Sequence, residues 1–135
     1  ATGKVMSNAF NRSTTNPGRL GRAVPTRRVN SIKTIGPTNR SKVLVTTADD
    51  LANVDTSSQL VERLTLLDDA GQFKSGKWSV IEFDNPGTSL SSTIPGEYRG
   101  VGFIEGGMTQ GGAREFLMNN LRVDQLKNVT IRNLP

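Results

Sequence analysis

Short apolar runs that end at turn sequences limit the folds open to this chain of 135 residues. The run Lys42–Thr47 is rich in β-branched residues, and residues 78–83 and 128–132 also have strand-like compositions. Asp-Asn-Pro-Gly at 84–87 is a strong turn signal, and residues 98–105 alternate small and large side chains. This spacing predicts a mainly β fold, a small β-sandwich or barrel. We also predict one short helix, from a helical pattern, and a long extended N-terminal arm, from the distribution of charge.

Residues 60–67 fit two structures, since their leucines match a helical period and an alternating strand pattern about equally well. Thr56 and Gln59 have the spacing of a helix capping box just before this run. Asp-Asp-Ala-Gly at 68–71 forms the turn that a strand needs before Phe73. We therefore favour a strand at 60–67, with a helix as the alternative.

The clearest helical pattern lies at residues 113–121. Its apolar side chains recur at positions i, i+3, i+4 and i+8, which places them on one face of a helix. These side chains are Ala113, Phe116, Leu117 and Leu121. The sequence therefore predicts the one short helix here, directly after a Gly-Gly pair.

Charge is distributed unevenly along the chain. The first 48 residues contain nine Lys and Arg and no acidic residue, whereas residues 49–135 contain 8 basic and 12 acidic residues. The net charge of +5 therefore combines a segment of +9 with one of −4, an asymmetry typical of an interaction tail. We expect residues 1–41 to form an extended basic arm and residues 42–135 to form a small β-rich body. The cations expected to interact are Arg12, Arg19, Arg22, Arg27, Arg28, Lys33, Arg40 and Lys42.

The arm has two interpretations. Its nine charges suit salt-dependent contacts with phosphates, but Phe10 is its one aromatic residue and Arg27-Arg28 its one adjacent basic pair. Apolar residues recur between the bases, a pattern that suits grooves on neighbouring subunits while arginines pair with carboxylates. They are Val5, Phe10, Leu20, Val24, Val29, Ile32 and Ile35. We favour a protein clamp, with nucleic acid as the alternative.

The chain contains no His and no Cys. Their absence excludes Ser-His-Asp and Cys-His nucleophiles and leaves structural zinc without its usual ligands. The paired acids Asp49-Asp50 and Asp68-Asp69 lack the calcium-loop pattern, and the glycines of 100–107 do not form a nucleotide-binding fingerprint. We therefore expect no enzymatic activity, no cofactor and no metal.

The general build resembles small structural proteins of virus particles, especially the capsid cement or decoration proteins of tailed bacteriophages. The shared features are a long polar arm, a small β body and many Asn, Thr, Ser and Gly residues. The resemblance implies a non-enzymatic virion structural protein, made in the host cytoplasm, whose arm straps neighbouring capsid subunits. We expect a dimer or trimer with no membrane contact. The alternative is a nucleic-acid-binding protein or coat subunit whose basic arm contacts DNA or RNA.

Overall fold

The computed structural model describes residues 17–87, 90–91, 94, 103–104 and 107–135. Within these residues, seven strands and one α-helix follow one another along the chain. The strands are β1 (Arg19–Pro25), β2 (Lys42–Thr47), β3 (Trp78–Asp84), β4 (Phe103–Ile104), β5 (Met108–Thr109), β6 (Glu115–Asn119) and β7 (Thr130–Asn133). The helix α1 spans Ser57–Leu64, between β2 and β3.

Five strands form one antiparallel sheet in the order β6-β2-β1-β3-β7, and β4 and β5 form a separate two-stranded ribbon. The central strand β1 pairs with β3 from Arg19–Asp84 to Pro25–Trp78, and β2 pairs with β6. The predicted mainly β class with one short helix is confirmed. In the described residues, the five-stranded sheet has a helix on one face. We expected two facing sheets or a closed barrel instead.

Each face of the sheet carries its own apolar core, because successive side chains of a strand point to opposite faces. On β3, Trp78 and Val80 belong to one core, and Ile81 and Phe83 belong to the other. The helix covers the first of these faces with Leu60, Val61 and Leu64.

The structure shows a helix in the segment where we favoured a strand, so the strand at 60–67 is wrong. The capping box stabilises the start of the helix. Thr56 Oγ1 accepts a hydrogen bond from Gln59 N at 3.1 Å, and Gln59 Oε1 accepts one from Thr56 N at 3.2 Å. The helix ends after Leu64, where Thr65 adopts a left-handed φ of 53°. Local capping therefore outweighs the turn at 68–71 as a signal.

The helix predicted for residues 113–121 is wrong as well, because Glu115–Asn119 is strand β6. Phe116 pairs with Val45 and Met118 with Val43, which fixes these side chains in the second core. Leu117, on the opposite face, is also buried. A strand that is buried on both faces has a continuous apolar run, and such a run imitates the stripe of a helix.

Residues 17–41, which we expected in an extended arm, are described as part of the folded body. Arg19–Pro25 is the central strand of the sheet. Four apolar residues of this segment fill the chain's own second core: Leu20, Val24, Val29 and Ile35. Residues 1–16 lie outside the described residues, as does most of the strand expected at 98–105. No helix in the described part of the chain is long and apolar enough to cross a membrane.

Candidate functional site

A cleft opens where β1 and β2 separate. The two strands pair at Leu20–Thr47 and Gly21–Thr46, after which β1 follows β3 as far as Pro25. The gap between them holds a cleft of about 410 Å³. Its apolar wall includes Ile32, Ile35, Leu64, Leu66 and Trp78, and its charged side chains are Arg22, Arg28, Lys74 and Glu115.

Arg22 lies in the gap between the strands. Its Nη1 donates to the carbonyl oxygen of Leu44 on β2 at 2.7 Å. Its Nε is buried and has no hydrogen-bond partner, which costs on the order of 1–3 kcal/mol until an acceptor arrives. Burial lowers the pKa of Arg22 below its ordinary value, while the charge of Glu115 opposes that shift. The side chain is thus a cation with one unused donor, which suits an anionic ligand.

Glu115 is the first residue of β6 and pairs with Thr46, which pairs in turn with Gly21 on β1. Burial raises the pKa of Glu115 to about 7, and the positive charge of Arg22 opposes this increase. A carboxyl with a pKa of about 7 is substantially populated in both protonation states at neutral pH. It can therefore accept and return a proton during a reaction.

The backbone next to Glu115 is held by a network around Asp50. Arg114 donates to Asp50 Oδ2 through its backbone N at 3.1 Å and its Nε at 2.9 Å. Thr46 Oγ1 donates to the carbonyl oxygen of Arg114 at 2.6 Å, and Arg63 Nε donates to the carbonyl oxygen of Asp50 at 3.0 Å. These contacts fix the start of β6 and so limit the positions that Glu115 can take.

One end of the cleft carries two more cations, Arg28 and Lys74. Lys74 Nζ lies 6.0 Å from the centroid of the Trp78 ring, a distance at which a cation is attracted to the ring face. Thr26 N donates to the carbonyl oxygen of Lys77 at 3.0 Å, which ties the segment of Arg28 to the segment of Lys74. The cleft therefore combines three cations with one carboxyl.

A second, more open cavity of about 570 Å³ lies beside Asp49, Asp50 and Glu62. Its acidic pair, Asp49-Asp50, is one of the two pairs in the sequence that we considered for a cation. The carboxylate of Asp50 is instead engaged by Arg63 and Arg114. In the ranges that the structure describes, no group of three or more His, Cys, Asp or Glu residues could hold a metal ion.

The structure brings two of the eight predicted interaction cations, Arg22 and Arg28, into the cleft. Two others contact neighbouring strands: Arg19 Nη1 lies 3.1 Å from Asp84 Oδ1, and Lys42 Nζ donates to Asn119 Oδ1 at 2.5 Å. Three more are exposed at other places: Arg27, Lys33 and Arg40. Arg12 lies outside the described residues. The interaction role of these residues stays a prediction.

Sequence reasoning missed Glu115 and Lys74. Glu115 lies in the segment that we predicted to be a helix, and no residue near it in the sequence marks it as a functional carboxyl. Its partner Arg22 is 93 positions away in the sequence, and no local pattern joins the two. The pairing of β1, β2 and β6 is what brings them together.

A family model matches this chain over almost its whole length. The model of the family described as Ntox10, novel toxin 10, matches residues 2–134. This match overturns the expectation of a capsid or bacteriophage structural protein located in the virion, which was based on composition and layout alone. No curated protein and no solved structure matches the chain. Because the family model covers almost the entire sequence, the chain belongs to the novel toxin 10 family.

Proposed function

We propose that this toxin-family chain is an enzyme that cleaves RNA in the cleft between β1 and β2. The observation that carries the proposal is that Arg22 and Glu115, both half-buried, line one cleft and interact through their charges. Glu115 is the proposed base, and Arg22 is the proposed ligand of the phosphate. The pair supplies a proton acceptor and a charged donor in one concave, partly apolar site.

The reaction is a transfer of the phosphorus from one oxygen to another. Glu115 accepts the proton of a ribose 2′-hydroxyl as the 2′ oxygen attacks the adjacent phosphorus. The bond from phosphorus to the 5′ oxygen breaks, and the departing oxygen takes a proton from solvent. The products are a 2′,3′-cyclic phosphate and a 5′-hydroxyl, and Glu115 returns its proton to solvent. The Arg22 guanidinium, which lines the cleft, stabilises a phosphate oxygen whose negative charge grows in the transition state.

RNA is favoured over DNA because the cleft has a proton acceptor, while its threonine hydroxyls, on Thr34 and Thr46, donate to backbone carbonyl oxygens. RNA carries the attacking group within the substrate as the 2′-hydroxyl, which DNA lacks. The enzyme then needs to position the phosphate, remove one proton and stabilise charge. Glu115 and Arg22 cover the second and third of these tasks.

This proposal departs from the expectation that the chain is not an enzyme, which was based on its lack of His and Cys. Histidine is favoured in catalysis because its pKa lies near neutral pH. Burial brings the pKa of Glu115 into the same range, so this carboxyl can accept and return a proton near neutral pH.

Induced expression in bacterial cells tests the proposal. Wild-type protein should arrest growth and degrade cellular RNA, whereas Glu115→Gln should do neither, because glutamine cannot accept the proton. Glu62→Gln is the matched control, since Glu62 is an exposed glutamate on α1. Growth arrest with intact RNA, or equal RNA loss with the Glu115→Gln variant, would contradict the proposal.

A further inference from the structure

We propose that Arg28 and Lys74 bind a phosphate of the RNA next to the one being cleaved, so that the enzyme requires an extended single strand. This inference rests on the ribonuclease activity proposed above. It concerns the end of the cleft away from Glu115 and specifies the substrate as an oligonucleotide with more than one phosphate.

The positions of the two cations follow from strand pairing. Arg28 ends the 3₁₀-helix Thr26–Arg28, which begins directly after β1. Lys74 precedes β3, whose first residue Trp78 pairs with Pro25 at the end of β1. Both cations therefore lie at the same end of the cleft. Pro25 lies three positions after Arg22 along β1, a distance of about 10 Å at about 3.3 Å per residue.

The segment of Lys74 is anchored while its ammonium group stays available. Lys74 N donates to the carbonyl oxygen of Leu66 at 2.9 Å, and the Trp78 ring lies under Nζ. Within the described residues, neither the Arg28 guanidinium nor the Lys74 ammonium forms a hydrogen bond or an ion pair with a protein group. By contrast, Arg19 is paired with Asp84. The two free cations are therefore available to a phosphate.

Single-stranded RNA suits this arrangement better than a duplex does. Arg28 and Lys74 are exposed and line a cleft between strands, and a cleft admits a strand whose backbone is not paired. A cation pair contacts phosphates without reading bases, so it should raise affinity for any sequence and make that affinity salt-dependent.

The chain offers a matched control for the test. Arg27 is adjacent to Arg28, and Lys77 lies three residues after Lys74; both are exposed and neither lines the cleft. We compare the double variant Arg28→Ala/Lys74→Ala with Arg27→Ala/Lys77→Ala. The two pairs lose equal charge, so a difference between them reports position in the cleft.

The first assay measures kcat/KM on a ten-nucleotide single-stranded RNA and on a dinucleoside monophosphate, which has one phosphate. The Arg28/Lys74 variant should lose about tenfold or more on the longer RNA, mainly through KM, and nothing on the short substrate. The control variant should match wild type on both. An equal loss on both substrates, or an equal loss in the two variants, overturns the subsite.

A binding assay keeps the subsite testable if the wild type cleaves neither substrate, an outcome that refutes the ribonuclease proposal alone. A ten-nucleotide single strand of the same base sequence with 2′-deoxy sugars cannot form the cyclic product and serves as an uncleavable analogue. Its Kd is measured by fluorescence anisotropy at several salt concentrations. Arg28→Ala/Lys74→Ala should raise the Kd about tenfold and reduce the salt slope by about 0.7, the value for one phosphate contact on a single strand. Equal Kd values in the two double variants would overturn the subsite.

Discussion

One carboxylate oxygen of Asp50 accepts two hydrogen bonds from Arg114, from its backbone N at 3.1 Å and its Nε at 2.9 Å. Arg114 is therefore held at both its main chain and its side chain. The next residue is Glu115, so the contacts of Arg114 hold the proposed base in place at the start of β6. Asp50 belongs to no other part of the proposed chemistry and acts through Arg114 as a positioning residue.

Substituting Asp50→Asn should destabilise the protein and impair the reaction. The side chain of Asp50 is 13% exposed, and removing one partner of such an ion pair costs about 2–3 kcal/mol. Urea unfolding measures that loss. The exposed neighbour Asp49 provides the control: Asp49→Asn should change the free energy of unfolding by less than about 0.5 kcal/mol.

The two variants also separate positioning from stability. Under conditions where Asp50→Asn is still folded, its kcat should fall while its KM for RNA changes little, because Glu115 loses alignment and the phosphate ligands remain. Wild-type kcat in the folded Asp50→Asn protein would contradict a positioning role.

Cleavage should depend on pH through Glu115. With a pKa of about 7, the base is mostly protonated in acid, so kcat/KM should rise about tenfold per pH unit below pH 7 and then level off. Replacing Arg22 with Gln removes the charge that lowers the pKa of Glu115. The inflection of the residual activity should then move to higher pH. An inflection near pH 4.5 in the wild type would contradict a base with a raised pKa.

The protein should become less stable as the pH rises, because Glu115 loses its proton. The ordinary pKa of the Glu115 carboxyl is 4.5 and its pKa in the folded protein is about 7, so between these values the folded state binds more protons than the unfolded state. The stabilisation is complete below pH 4.5 and is lost as the pH rises through 7. The pKa difference corresponds to about 3 kcal/mol in total.

The variant Glu115→Gln isolates this effect, because its side chain does not titrate. The free energy of unfolding of the wild type minus that of the variant should decrease between pH 4 and pH 8. Denaturant titrations across that range measure the difference. A constant or increasing difference would mean that Glu115 is not protonated more readily in the folded state.

Gly111 should tolerate no side chain. A Cβ atom at this position would lie 2.2 Å from the carbonyl oxygen of Glu62 and 2.3 Å from that of Arg63, both in backbone at the end of α1. We expect Gly111→Ala to cost more than about 2 kcal/mol by urea unfolding. Gly18→Ala is the control, since a Cβ there meets nothing within 4 Å, and it should leave the midpoint unchanged.

The fold was partly predictable from local sequence. Lys42–Thr47 and the strand beginning at Trp78 were recognisable because β-branched and aromatic residues precede clear turns. Strand β6 was not, because its apolar residues are buried on both faces and match a helical period. The segment after Pro17 was taken for an arm because its charges stand out, although Leu20 and Val24 are buried.

The candidate site was less predictable than the fold. Arg22 and Arg28 were identified as cations that interact, but nothing near them in sequence indicates a cleft. Their relation to Glu115 depends on two strand pairings and on the point where β1 and β2 separate. The unusual pKa of Glu115 is a consequence of burial, which only the tertiary structure determines.

Mass spectrometry of the RNA products tests the central claim most directly. Purified wild-type protein is incubated with a ten-nucleotide single-stranded RNA, and Glu115→Gln and Glu62→Gln are treated in parallel. We predict products ending in a 2′,3′-cyclic phosphate and a 5′-hydroxyl, formed about 100- to 10,000-fold more slowly by Glu115→Gln and at the wild-type rate by Glu62→Gln. Undiminished cleavage by Glu115→Gln, or equal cleavage of DNA of the same sequence, would contradict the account.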